Sequence, residues 1–345
     1  MNPPAHQTKG APVPSPTAPG LGPHCVGQRV VVRRVVRGET GPSGGPAMTD
    51  LLGEMTAWTE STTTVQPAEG APVTIPLADI VSGKPVPPRP SVRHRVSADD
   101  AERRALAGWP AAETERLGDW VLRAAGGFSS RANSVLAVGS PGVTLPEALD
   151  ATVAFYAARG LPAWAQVVVG SPTLDAFGDA GWVAARPGEA DSAFQIASVA
   201  QASRALRGLA PDVGVPVSVE ATASDAWLAD DARALDHLAV ARTVLEGPAE
   251  VGFVSVGAPG AAVHAKGRVS LADDWAGITD VWVHPARRRQ GLALVVMREL
   301  LGWAAERGAT TAYLQTRQDN PGALALYDRL GFTTHHHYRY LTTPL

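Results

Sequence analysis

Residues 283–293 constrain the fold of this chain more than any other stretch of its 345 residues. Their sequence, VHPARRRQGLA, follows a β-branched run and precedes apolar residues at helical spacing, which predicts a turn from a strand into a helix. Pro285 ends the strand, and Gly291 permits close approach to the main chain. Because the first amide groups of a helix lack intrahelical partners and the dipole is positive there, this turn is suited to phosphate oxygens.

The residues around this turn support the same interpretation. Arg287, Arg288 and Arg289 place positive charge beside it, and Ala293 is small enough to let a diphosphate approach. The predicted helix carries an apolar stripe that would pack on a sheet, formed by Leu292, Val296, Leu300 and Trp303.

Two motifs then resemble the GNAT superfamily of N-acetyltransferases. Arg288-x-x-Gly291-x-Ala293 matches its pyrophosphate-binding signature, and a second signature follows on the next predicted helix, where Asn320 and Tyr327 precede a Gly-Phe pair. The resemblance implies an α+β GNAT fold, a mixed central sheet flanked by helices. It also implies an enzyme that uses acetyl-CoA as co-substrate and no metal.

The resemblance implies roles for individual residues. The acetyl-CoA contacts would be Val281, Trp282 and Val283 for the pantetheine arm, Arg288, Arg289, Gln290, Gly291, Leu292 and Ala293 for the pyrophosphate, and Asn320 near the thiol. Tyr327 would be the general acid that protonates the departing thiolate. The alternative for Tyr327 is an aromatic ring that only packs beside Phe332.

The reaction also needs a base, because an alkylammonium is not nucleophilic at neutral pH. Asp280 lies on the strand beside the expected thioester and is the favoured candidate. Asp273, Asp274 and a chain of water molecules are the alternatives.

A second pair of residues suggests an acceptor site. Residues 132–138 are predicted as a strand, so that Arg131 and Asn133 share one face, and a guanidinium group there can hold a carboxylate through two hydrogen bonds. The alternative is that both residues cap a turn or a sheet edge.

Composition changes divide the chain into four parts: a disordered tail at 1–24, a small SH3-like β-barrel at 25–92, a degenerate GNAT-like half at 98–205 and a catalytic GNAT domain at 214–345. Residues 84–90, KPVPPRP, are predicted to form a stiff linker. The barrel is interpreted as a packing module; peptide or RNA binding is the alternative.

The degenerate half is inferred from an internal repeat. Arg159-Gly160, Gln166 and Gly181-Trp182 recur in the same order as Arg307-Gly308, Gln315 and Gly331-Phe332. Both series read as helix, strand, helix, strand, which favours a duplication over coincidence. The first copy lacks both GNAT signatures, so it is expected to shape the acceptor pocket rather than to bind acetyl-CoA.

Composition excludes several other classes. A net charge of −3 gives no basic excess for nucleic acid. The lone Cys25 indicates a reducing compartment and is interpreted as a surface or strand thiol. The first twenty residues lack a secretory apolar region, and no run approaches the roughly 18 apolar residues of a membrane span. The prediction is a cytoplasmic protein without a membrane partner.

The triplet at 335–337 is three histidines. Strand alternation predicts His335 and His337 on one face and His336 on the other. Solvated or stacked histidines are favoured over a metal site, because no third ligand is placed by the sequence.

The whole arrangement, over residues 27–345, resembles an actinobacterial family with an SH3-like barrel and tandem GNAT halves. Its members are described as N-acetylglutamate synthases, and related mycobacterial proteins as histone or protein acetyltransferases. The acceptor implied is an α-amino acid such as glutamate. The alternatives are a protein lysine or a non-catalytic acetyl-CoA sensor.

Overall fold

The computed structural model describes residues 20–41, 44–67, 69–86, 92–188 and 191–344. The chain divides into two compact units, Met1–Ser91 and Val92–Leu345. Most of the predicted tail, 1–19, and residues 87–90 of the predicted linker lie outside the described residues.

The first unit is a five-stranded antiparallel sheet in the order β4-β3-β2-β1-β5. Its strands are β1 (Arg29–Thr40), β2 (Pro46–Trp58), β3 (Thr62–Pro67), β4 (Val73–Pro76) and β5 (Ile80–Pro85). Apolar side chains at alternate positions, such as Val30 and Val32, are fully buried on one face. Cys25 is buried in this core and belongs to a short 3₁₀ turn. The predicted small β domain is confirmed, and the prediction of a surface or strand position for Cys25 is wrong.

The first half of the second unit contains α1 (Ala98–Gly108), β6 (Glu113–Leu117), β7 (Trp120–Ala124), β8 (Val135–Leu136), α2 (Leu145–Ala157), β9 (Trp164–Val168), α3 (Pro172–Asp179), β10 (Val183–Ala184), β11 (Ser192–Ser198) and α4 (Val199–Leu206). The second half contains β12 (Val217–Glu220), α5 (Asp225–Leu228), α6 (Ala232–Asp236), α7 (Leu238–Glu246), β13 (Glu250–Val256), β14 (Ala265–Ala272), β15 (Trp275–Val283), α8 (Leu292–Glu306), β16 (Thr311–Arg317), α9 (Pro321–Arg329) and β17 (Thr333–Thr342).

One mixed sheet runs through both halves in the order β12-β13-β14-β15-β16-β11-β17-β9-β8-β7-β6, and β10 pairs with β17. Each half contains one parallel pair, β8–β9 or β15–β16, connected through a helix. The final strands are exchanged: β11 pairs with β16 of the other half, and β17 pairs with β9. This symmetric exchange confirms the predicted tandem of two GNAT-like halves.

The helix predicted after the glycine turn is α8, and its apolar stripe packs on the sheet. Val296 and Leu300 are fully buried. Burial of each such side chain contributes roughly 1.5–3 kcal/mol to the stability of the fold. Gly267 on β14 makes this close packing possible, since a Cβ there would lie 2.6 Å from Val296 Cγ1.

The predicted strand at 132–138 is largely wrong. Arg131–Asn133 forms a 3₁₀ turn, and β8 contains only two residues. The loop is held by the amide of Asn133, which accepts a hydrogen bond from the Ala125 N–H and donates one to the Phe128 carbonyl, both in the segment before the turn. The alternation that placed Arg131 and Asn133 on one strand face therefore does not apply.

Within the part of the chain that the structure describes, no helix is long and apolar enough to cross a bilayer.

Candidate active site

The two central strands of the second half separate where the active site is expected. Their parallel pairing ends at Ile278 and Leu314. Beyond that point β15 continues to Val283 with pairing only to β14. Asp280 has a φ of +53°, and the β14–β15 register shifts next to it, which marks a β-bulge that bends the strand. The main chain of residues 281–283 therefore faces an opening beside β16.

The turn after β15 is exposed and leads into α8, whose first residue, Leu292, is buried. Two of its residues, Arg289 and Gly291, have left-handed backbone conformations, with φ of +61° and +78°. The side chains at 287–290 are exposed, and Arg288 Nε donates to the Val283 carbonyl at 3.4 Å. The 15-residue helix then begins at Leu292. Its first amide groups thus lie beside exposed cationic side chains, an arrangement suited to a diphosphate.

The structure shows a reason for a glycine at position 291 that the sequence did not reveal. A Cβ at this position would lie 2.5 Å from Cγ of Pro211, in the segment that joins the two halves. The glycine is therefore required by its positive φ and by the contact with Pro211. The role of Gly291 in the approach of a pyrophosphate stays a prediction beside this contact.

Asn320 and Tyr327 lie at opposite ends of α9. The Asn320 Oδ1 atom accepts a hydrogen bond from the Ala323 amide at 3.2 Å and so caps the helix. Tyr327 is buried, and its ring centroid lies 5.9 Å from that of Phe332. Burial, together with the charge of Asp280, raises the pKa of Tyr327 to about 12. Its hydroxyl therefore holds its proton at neutral pH.

A cavity of about 290 Å³ lies in the second unit beside the separation of β15 and β16. It is lined by Trp109, Ser129, Ser130, Arg131, Ala184, Arg186, Asp191, Ser192, Arg233, Thr279, Asp280, Gln315, Thr316, Arg317, Tyr338, Arg339 and Tyr340. Arginines outnumber aspartates in this lining, and three of the five form ion pairs, Arg233 with Asp231, Arg317 with Asp319 and Arg339 with Asp191. Arg339 forms a two-bond ion pair with Asp191, at 2.7 and 2.9 Å.

Three residues of this lining carry buried polar atoms that have no hydrogen-bond partner among the described residues. They are Nε of Arg131, Oδ2 of Asp280 and Oε1 of Gln315. One is a donor and two are acceptors. Only seven such side-chain atoms occur in the described parts of the chain, so their concentration around one cavity points to a ligand.

Of the two residues predicted to contact the acceptor, the structure brings only Arg131 to the cavity. The Arg131 guanidinium lies 5.3 Å from the centre of the Trp109 ring. Burial lowers its pKa, but the nearby hydroxyls of Tyr338 and Tyr340 outweigh that effect and raise it. Asn133 is different: its amide oxygen accepts from Ala125 and Gly127 at 2.8 and 3.0 Å. Asn133 thus supports the loop, as the turn-capping alternative states.

Only one of the three carboxylates predicted as candidate bases lies at the cavity. Asp280 lines the cavity, and its Oδ1 atom lies 3.9 Å from Arg233. Asp273 and Asp274 lie before Trp275, at the other end of β15, and neither lines the cavity. The geometry therefore favours Asp280 among the three.

The histidine triplet departs from simple alternation. A register shift in β17 brings His335 Nδ1 within 2.8 Å of His336 Nδ1, so the prediction that they lie on opposite faces is wrong. His336 Nε2 is 3.0 Å from Glu102. Among the residues described, no group of three or more His, Cys, Asp or Glu side chains is arranged to hold a metal ion.

Comparison with known proteins gives the family. Residues 99–341 match the model "Probable histone acetyltransferase Rv0428c C-terminal", and residues 24–84 match "Rv0428c N-terminal Sm-like domain". This chain belongs to the Rv0428c family of GNAT N-acetyltransferases. The small β domain predicted as SH3-like is thus the Sm-like domain of that family.

Individual relatives agree with this assignment. The chain is 30% identical to the probable histone acetyltransferase Rv0428c of Mycobacterium tuberculosis, over 94% of this chain and 95% of that protein. It is 30% identical to the uncharacterized N-acetyltransferase YobR of Bacillus subtilis, over 69% of this chain and 96% of the relative. A GCN5-related N-acetyltransferase of Kribbella flavida has the same fold, with a TM-score of 0.50 at 19% identity, over 72% of this chain and 96% of that one.

Sequence reasoning missed Gln315 and Glu102 as site residues. The internal repeat contained one signal, since it aligned Gln315 with Gln166, and both are polar residues within apolar strands. Gln166 is buried and Gln315 half-buried, so each amide needs a hydrogen-bond partner inside the protein.

Proposed function

We propose that this N-acetyltransferase moves the acetyl group of acetyl-CoA to the amino group of a small α-amino acid, with glutamate as the first candidate. The three unpartnered atoms of the cavity are the observation that supports this acceptor. An α-amino acid at neutral pH has a carboxylate that accepts hydrogen bonds and an ammonium group that donates them. Arg131 complements the carboxylate, and Asp280 with Gln315 complements the ammonium group.

The positions of these residues fit that orientation. Gln315 directly follows Leu314, the last residue of β16 that pairs with β15, and Asp280 lies two residues beyond Ile278, the partner of Leu314. The two acceptor atoms therefore belong to the two sides of the strand separation. An amine held between them lies next to the route by which a thioester would enter.

The donor site is inferred from the other side of the same opening. Acetyl-CoA supplies an activated acetyl thioester, and the free main-chain edge of residues 281–283 is suited to hold its pantetheine arm as an added strand. The start of α8, with Arg288 and Arg289 beside it, is suited to the pyrophosphate. Asn320 caps the start of helix α9, and Tyr327 lies near the end of that helix.

These residues account for each proton that moves in the proposed reaction. Asp280 accepts one proton from the ammonium group, which leaves a neutral amine to attack the thioester carbon. As the C–N bond forms and the C–S bond breaks, Tyr327 gives its proton to the departing sulfur. The acylated nitrogen loses a second proton, which restores Tyr327, and Asp280 releases the first proton to water. The products are the N-acetyl amino acid, coenzyme A and one proton.

A protein lysine is the second candidate acceptor, and the name of the mycobacterial relative favours it. The lining argues against it, because a groove for lysine-rich segments is expected to be acidic, whereas this cavity contains five arginines and two aspartates.

The test is a thiol-release assay with purified full-length protein, acetyl-CoA and a panel of amino acids, polyamines and a basic peptide. We expect turnover with an acidic α-amino acid and none with polyamines. Turnover with the peptide alone would replace the amino-acid proposal with the protein-lysine one. Binding of acetyl-CoA without turnover of any acceptor would favour the sensor alternative.

A further inference from the structure

Behind the cavity, the carboxylate of Glu102 joins the two halves of the second unit. Glu102 lies on α1 and is only 2% exposed. Its Oε2 atom accepts hydrogen bonds from Gln166 Nε2 at 2.9 Å and from Gln315 Nε2 at 3.4 Å. Its Oε1 atom lies 3.0 Å from His336 Nε2. Glu102 does not line the cavity itself.

We propose that Glu102 is a positioning residue that fixes the amide of Gln315 so that its oxygen receives the acceptor amine. This inference rests on the proposed function. A primary amide has a donor end and an acceptor end, which are nearly the same shape. The Glu102 Oε2 atom accepts from both glutamines, so it holds the Nε2 end of Gln315 toward Glu102. The Oε1 end, which has no partner among the described residues, is then left for the cavity that Gln315 lines.

The histidine pair shows which oxygen of Glu102 is left to accept from Gln315. His335 Nε2 donates to the Val96 carbonyl at 2.9 Å, so a neutral His335 has only a lone pair at Nδ1. His336 must then donate from Nδ1 to His335, which leaves its Nε2 without a proton opposite Glu102. A hydrogen bond at both contacts therefore needs one extra proton on the pair. That proton lies between His336 Nε2 and Glu102 Oε1, so the Oε2 atom carries none and accepts from Gln315.

A reversed Gln315 amide would weaken binding of the acceptor. If Gln315 turned over, two N–H donors would face the substrate ammonium in place of an oxygen. The loss of one hydrogen bond to a charged group corresponds to about tenfold or more in the acceptor KM. The donor site lies on other elements, so the KM for acetyl-CoA should not change.

Two substitutions at Glu102 separate orientation from charge. Glu102→Leu removes the acceptor of the Gln315 amide at similar volume, and we expect the acceptor KM to rise about tenfold or more. Glu102→Gln keeps an oxygen for Gln166 and Gln315 and offers an N–H to a neutral His336. Its acceptor KM is expected within about twofold of wild type. An unchanged KM in the leucine variant, or equal damage in both variants, would overturn the proposal.

A rescue variant excludes a merely structural role. A carboxylate at position 315 presents an oxygen whichever way it turns. Adding Gln315→Glu to Glu102→Leu should therefore recover most of the acceptor KM, whereas a collapsed cavity would not recover. Failure of this rescue, with both proteins folded by circular dichroism and thermal melting, contradicts the orientation argument.

If Glu102→Leu does not fold, Gln315→Met decides the question, because residue 315 is only half-buried. It should raise the acceptor KM about tenfold and leave the acetyl-CoA KM unchanged; an unchanged acceptor KM overturns the role of Glu102. The assay uses the amino acid that the wild type acetylates. A wild type inactive with every amino acid contradicts the proposed function and the inference with it, while an active wild type with unaffected variants contradicts the inference alone.

Discussion

Gln166 and Gln315 occupy equivalent positions in the two halves, and both donate to the same oxygen of Glu102. Gln166 lies on β9 and Gln315 on β16, the strands that receive the exchanged final strands. In the first half the amide oxygen of Gln166 accepts from the buried Arg123 at 2.9 Å. In the second half the equivalent oxygen of Gln315 has no partner among the described residues, and the residue lines the cavity. The duplicated polar position thus has a structural use in one half and a proposed binding use in the other.

Replacement of Tyr327 by Phe should lower kcat by about a hundredfold or more, since a general acid contributes that much. The KM for acetyl-CoA should change little. Because the pKa of Tyr327 is raised to about 12, its hydroxyl stays protonated below that pH, and it should cause no alkaline fall of kcat between about pH 7 and 10. Steady-state kinetics across that range check both statements. An unchanged kcat in the variant would remove Tyr327 from the mechanism and leave only its packing against Phe332.

Replacement of Asp280 by Asn should lower kcat by about a hundredfold, because the amide cannot take the ammonium proton. Asn tolerates the left-handed conformation at φ +53°, so the β-bulge should persist. Asp280→Gly is the control that keeps the backbone conformation and lacks the side chain, and it should be equally inactive. Single-turnover rates measure the chemical step. Wild-type rates in both variants would assign the base to water.

Replacement of Arg131 by Met should raise the acceptor KM by about tenfold or more through loss of a charged hydrogen bond. The matched control is Arg298→Met, since Arg298 is exposed on α8, pairs with Glu299 and does not line the cavity. The control should leave both KM values unchanged. Equal effects of the two substitutions would contradict a carboxylate contact at Arg131.

Replacement of Gly291 by Ala should destabilise the protein by about 1–3 kcal/mol, because the new methyl group meets Pro211 and the residue keeps a positive φ. In a Pro211→Ala background the loss should be smaller, since the proline atoms nearest the methyl group, Cγ and Cδ, are absent. Urea unfolding of the four proteins gives this double-mutant cycle. Additive losses would show that Pro211 does not restrict position 291.

The parts of the site that were predictable from the sequence are local in the chain. Residues 283–293 form a strand, a turn and a helix start within one short segment, so residue spacing alone predicts their geometry. The motif from Asn320 to Phe332 is equally local, and α9 and the start of β17 follow it. Arg131 was predicted beside the acceptor although its predicted strand is a 3₁₀ turn, because a loop residue can reach a cavity from either conformation.

The remaining features depend on contacts between distant segments. Glu102 meets Gln166, Gln315 and His336 at sequence separations of 64, 213 and 234 residues, which residue spacing does not reveal. The exchange of β11 and β17 is also non-local, since each strand pairs within the opposite half. The bulge that brings His335 and His336 together breaks the two-residue period on which strand prediction depends.

In the proposed reaction the enzyme transfers an acetyl group to a small amino acid that it holds through the carboxylate and the amine. The most direct measurement is kcat/KM for free glutamate against glutamic acid α-amide, by thiol release with the full-length protein and acetyl-CoA. Because the amide lacks the carboxylate that Arg131 would hold, kcat/KM should be about tenfold or more higher for the free acid. Equal values for the two compounds, or a higher value for a lysine peptide than for either, would contradict the proposal.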